Sequence, residues 1–89
     1  MGKRDSRVDE LVRMLLDFNP AEIAPDDALR GWKEIAFVAG YSEDTLQRVT
    51  AELEITLPRW GRPGRTTPVF LPKVKVVILR RIVMADLTR

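Results

Sequence analysis

The 89-residue chain contains neither cysteine nor histidine. Their absence removes disulfides, thiolate and imidazole metal ligands, and the commonest pairings of a nucleophile with a base. Aromatic side chains are few, with two Trp, one Tyr and three Phe. No apolar run approaches the roughly 18 residues of a membrane helix, and no apolar segment of the secretory kind follows Met1-Gly2-Lys3-Arg4, so the expectation is a soluble, cytoplasmic protein. Glu22, Asp26 and Asp27 cluster in sequence, but without a base, a ligand of another type or a central glycine they make neither a catalytic dyad nor a calcium loop. The composition points away from an enzyme and gives no sign of a cofactor, a metal or a small-molecule ligand.

What is present is enough for one small domain, 1–89, at a size where a single core is marginal and a partner chain can add stability. The net charge of +2 hides a division. Met1 to Leu57 holds seven Lys/Arg against twelve Asp/Glu, a net of −5, whereas Pro58 to Arg89 holds eight against one, a net of +7. Such asymmetry points to an electrostatic partner for one end, nucleic acid first, or to halves that attract each other.

The organising stretch is Trp32 to Ala51. Ile35, Ala36 and Ala39 fall at helical spacing, Gly40 can take the positive φ that ends a helix, and Ser42 can cap a second helix whose first turn holds Glu43 and Asp44. Leu46 and Val49 return that helix to the same apolar seam. Two helices joined by a short glycine turn, here over 32–52, make a helix-turn-helix, a motif whose second helix suits the major groove.

The flanks are read as support. Val8, Leu11, Val12, Leu15 and Leu16 form a helical stripe, predicting an N-terminal helix over 6–18, capped by Ser6 with Asp9 and stopped at Asn19-Pro20. Lys3, Arg4 and Arg7 can touch phosphate or simply be solvated. Asn19 to Gly31 reads as an acidic linker with one turn at Pro25 to Leu29. Ile55 to Trp60 and Thr67 to Leu71 flank a Gly/Pro/Arg-rich turn, which predicts a hairpin over 55–71 with Arg59, Arg62 and Arg65 near its tip. Three arginines at spacing three repel unless an anion meets them. Trp60 can stack at a groove, but packing on the core is favoured. Pro72 opens a last helix over 72–86, with Val74, Val77, Ile78, Ile82 and Ala85 on one strip and Val76, Leu79 and Val83 on another; the β-branched run within 73–80 also suits a strand. The fold class expected is mainly α with a small β-hairpin and three to four helices, and the excess apolar surface of the last helix suits a homodimer.

Trp32-Lys33-Glu34-Ile35-Ala36, Gly40-Tyr41-Ser42, Thr45-Leu46-Gln47-Arg48, Leu57-Pro58-Arg59, Gly61-Arg62-Pro63-Gly64 and Val69-Phe70 together resemble winged helix-turn-helix domains of the excisionase and MerR-like type. Small terminase subunits of tailed phages carry a similar domain. The resemblance covers about Leu29 to Leu79. It implies double-stranded DNA as partner, a bacterial or phage role in transcription regulation or DNA architecture, the second motif helix in the major groove and the wing on backbone or minor groove. The residues it carries over are Thr45, Gln47 and Arg48 on the helix and Arg59, Arg62 and Arg65 on the wing, with Glu43, Asp44 and Lys73 as further candidates. Arg48 can grip guanine and Gln47 adenine, each for about 1 to 3 kcal/mol of discrimination. Glu43 and Asp44 depart from the pattern, since two carboxylates facing phosphate repel, and dipole capping explains them equally well. Gly61-Arg62-Pro63 partly resembles an AT-hook centre, which would insert Arg62 into the minor groove. The rival reading is a protein-interaction module of the same fold, docking or dimerising through the apolar C-terminal segment.

Overall fold

A computed structural model describes residues 5–60 and 68–88. The described chain is mainly helical, with four α-helices and one small antiparallel sheet. Helix α1 spans Ser6–Leu16 and buries Val8, Val12 and Leu15. Its cap is Asp5 rather than the expected Ser6: the Asp5 carboxylate accepts from the Val8 amide at 2.9 Å, which makes Ser6 the first helical residue. Asp9 is thereby freed from the expected capping box and bridges to Arg13 one turn on, at 2.9 Å. The helix also ends at Leu16, two residues short of the expected Phe18. Phe18 instead sets its ring edge-on against Phe70, with centroids 5.7 Å apart, a contact made from outside the helix.

The expected linker holds more structure than its composition suggested. Asn19 caps a single 3-10 turn at Pro20–Glu22, a second follows at Pro25–Asp27, and the chain then forms strand β1, Ala28–Arg30, where a continuation of the turn to Leu29 was expected. Strand β2, Phe70–Pro72, pairs antiparallel with β1, placing Leu29 opposite Leu71 and Arg30 opposite Phe70. The expected hairpin partner appears on the other edge of the same strand. An isolated bridge joins Arg59 to Val69, with the Phe70 amide donating to Pro58 at 2.9 Å and the Trp60 amide to Pro68 at 2.9 Å. Residues 55–57 lie outside this ladder and form no strand. The expected turn, residues 61–67 with Arg62 and Arg65, lies outside the described residues.

The central pair forms where its local signals place it. Helix α2 spans Gly31–Ala39 and α3 spans Glu43–Glu52. Between them Gly40 takes φ 79°, and Ser42 caps α3 by accepting from the Thr45 amide at 3.1 Å. Ile35, Ala36, Ala39, Leu46 and Val49 are all buried. Helix α4, Val76–Leu87, follows a 3-10 turn at Lys73–Lys75, so 73–80 is helical in type and not strand. It begins later than the expected Pro72 because that proline closes β2 instead. The strip facing the core is Val76, Leu79, Ile82 and Val83, whereas Val74 and Val77 of the other predicted strip stand exposed.

Helices α2 and α3 end on the same device with different residues. After α3, Glu54 takes φ 57°, while the Ile55 amide donates to Thr50 and the Glu54 amide to Ala51, which is a Schellman closure with glutamate in the left-handed position. A Cβ added at Gly40 would meet nothing within 4 Å, so the cost of alanine there is conformational only. Gly40→Ala is expected to destabilise by about 1 to 2 kcal/mol. Glu54→Gly should gain about 0.5 to 1 kcal/mol, because relief of left-handed strain outweighs the added chain entropy of glycine. Thermal unfolding by circular dichroism reads both, and shifts of the same sign would contradict this account of the two turns.

Candidate nucleic-acid interface

Helix α3 turns Leu46, Val49 and Thr50 inward, so Glu43, Asp44, Gln47 and Arg48 face solvent. The Thr50 hydroxyl settles its own burial by donating to the Leu46 carbonyl at 2.8 Å. Thr45 is half-buried, and its hydroxyl oxygen accepts from Ser42 Oγ at 2.9 Å. Its own O–H proton is left to donate outward. Asp44 and Arg48 stand one turn apart, so the exposed face of α3 carries one guanidinium beside two carboxylates at the helix front. That balance gives the helix little general attraction for phosphate, and any contact from Gln47 or Arg48 must come from geometry.

A second group of candidates lies at the end of the sheet. Arg59 is exposed on the bridge to Val69, and Trp60 follows it immediately. The Trp60 ring packs edge-on against buried Phe70, with centroids 5.2 Å apart, as the sequence favoured. Over that ring lies a residue the sequence reading missed: Arg30, whose guanidinium carbon sits 4.5 Å from the Trp60 centroid. Arg30 lay hidden in what was read as acidic linker, and only the pairing of β1 with β2 brings it beside Trp60. Its backbone amide donates to the Glu34 carboxylate at 3.0 Å, which fixes the junction between β1 and α2. The junction is tight. Gly31 takes φ 84° there and donates its N–H to the Val69 carbonyl at 2.6 Å.

The candidates therefore fall into separate sets. Thr45, Gln47 and Arg48, with Glu43 and Asp44, share α3, and Arg30 and Arg59 flank the sheet end from which 61–67 departs. Lys73 belongs to neither; it lines a shallow groove with Lys33 and Phe37, a phenylalanine 88% exposed on α2. Among the described residues no cluster of acidic side chains converges as a metal site, and no helix is long and apolar enough to cross a membrane. No protein-family model, no curated protein and no solved structure matches the chain.

The stack of Arg30 on Trp60 is measurable by itself. A double-mutant cycle with Arg30→Ala and Trp60→Leu, followed by chemical denaturation, should return a coupling of about 0.5 to 1 kcal/mol. Strict additivity of the two changes would mean that the stack does not form.

Proposed function

We propose that this chain is a DNA-binding domain of the winged helix-turn-helix type, acting as a bacterial or phage regulator or DNA-architecture factor. The observation that carries the reading is the pairing of 58–60 with 68–70 directly beside β1, with Arg30 and Arg59 at that sheet end and Arg62 and Arg65 following in the sequence. Arg59, Arg62 and Arg65 recur every three residues in the sequence, and so dense a run of guanidinium groups is what a polyanion neutralises. Guanidinium forks also match phosphate geometry better than lysine does.

In this reading the wing supplies most of the affinity and α3 supplies selectivity. The wing arginines neutralise phosphates and release counterions, a contribution indifferent to sequence. Helix α3 enters the major groove with Gln47 and Arg48 toward base edges and the Thr45 hydroxyl toward a phosphate. Glu43 and Asp44 remain at the helix start, where the dipole favours them and where they oppose insertion at non-cognate sites. The acidic front thus becomes a filter, since only a site that rewards Gln47 and Arg48 offsets it.

Fluorescence anisotropy with a random duplex over a series of salt concentrations tests the wing. Alanine at Arg59, Arg62 and Arg65 together is expected to flatten the slope of log K against log salt by up to about three units, and Arg30→Ala alone by about one. A slope indifferent to all four changes would remove the sheet end from the interface. Selection from a random-sequence pool tests the helix: Arg48→Ala should lose preference at one base position, while the salt slope stays nearly as in the parent protein.

A further inference from the structure

The antiparallel pair of α1 and α4 leaves open a groove that the DNA reading does not use. The first turns of α1 meet the last turns of α4 along it, and at its other end Lys75 Nζ donates to the Met14 carbonyl at 2.8 Å. Each helix has already given one stripe to the core: Val8, Val12 and Leu15 from α1, and Val76, Leu79, Ile82 and Val83 from α4. The groove is a second apolar stripe between them, floored by Leu11 and Ala85 and walled by Met14 and Met84. It continues along α4 to Val77. Met14, Met84 and Val77 are 44%, 55% and 57% exposed. Methionine walls suit an occupant whose shape is not fixed in advance, because the thioether chain adapts its rotamers to what it covers.

The rim decides what the occupant is. Arg7, Arg80 and Arg81 border the groove against a single acid, Glu10, and among the described residues none of these four is in an ion pair. A second copy docking about a two-fold axis would bring this arginine excess against itself, since an isologous contact faces each patch with its own image. An acidic helix meets no such repulsion. We propose that the groove between α1 and α4 docks an amphipathic helix of another protein, its apolar side on Met14, Val77 and Met84 and its glutamates or aspartates on Arg7, Arg80 and Arg81. The mode is helix in groove, completing a three-helix cluster with the α1–α4 pair. Helix α4 offers about 18 Å of length, so three turns of the partner engage it. None of the groove residues belongs to α3 or to the sheet end, so the domain can hold this partner and a duplex together.

A fluorescein-labelled helical peptide of three heptads, with leucine at the a and d positions and glutamate at e and g, serves as probe, and the same peptide with lysine at e and g is its control. The glutamate peptide should bind one per chain, and the lysine peptide at least about ten-fold more weakly. Arg80→Glu with Arg81→Glu should weaken the glutamate peptide by about ten-fold or more, and Met84→Asp should abolish binding, in proteins whose circular dichroism matches the parent. Alanine at Arg59, Arg62 and Arg65 should leave peptide binding unchanged, which separates this groove from the wing. Equal binding of the two peptides, indifference to the Arg80 and Arg81 changes, or a dimer in sedimentation that Met84→Asp dissociates would each overturn the proposal, the last by giving the groove to a second copy.

Discussion

Everything else in the fold hangs from the two-sided hydrogen bonding of residues 68–72. On one edge this segment pairs with β1, and on the other it accepts and donates bonds to residues 58–60. Phe70 sits between them, fully enclosed, with Phe18 edge-on from one direction and Trp60 from another. One side chain thus ties the exit of α1, the entrance to α2 and the segment 58–60 to a common point. For a domain this small, in which each helix has a single core stripe, that junction replaces the bulk a larger protein would use. Loss of the Phe70 ring would therefore do more than open a cavity, because three segments would lose their shared reference at once.

The parts of the fold that sequence alone made legible are those whose information is local. Gly40 and Ser42 mark the turn between α2 and α3 within three residues, and both perform there what their chemistry favours. Strand β1 had no such mark. Ala28, Leu29 and Arg30 carry no alternation and follow a proline turn, and they become a strand only because a partner more than forty residues away offers a ladder. The same long-range pairing took Pro72 from the first position of α4 into β2, since a fixed φ near −65° suits either place and the sheet bonds decided it. The cap of α1 was a choice between two good caps, Asp5 and Ser6, settled by which side chain reaches the Val8 amide.

The candidate site follows the same division. The α3 residues could be placed on one exposed face from helical spacing, and their exposure agrees with that placement. Arg30 could not be found, because its neighbourhood in sequence is acidic and its relevance arises from stacking on Trp60.

The charge asymmetry of the sequence changes meaning once it is folded. Read linearly, the C-terminal excess of +7 looks like one basic patch aimed at DNA. The fold divides it. Arg59 stays with the sheet end and gains Arg30 from the acidic half, while Arg80 and Arg81 lie on the outer face of α4, Arg81 in a groove with Met14 and Arg7 of α1. Arg59 and the arginines of α4 line different grooves, so the two groups present separate basic surfaces. In the proposed DNA complex, a polyanion docked at the sheet end would leave the arginines of α4 without a counter-charge. That positive groove, lined with exposed methionine, is what makes an acidic partner the economical explanation for Arg80 and Arg81.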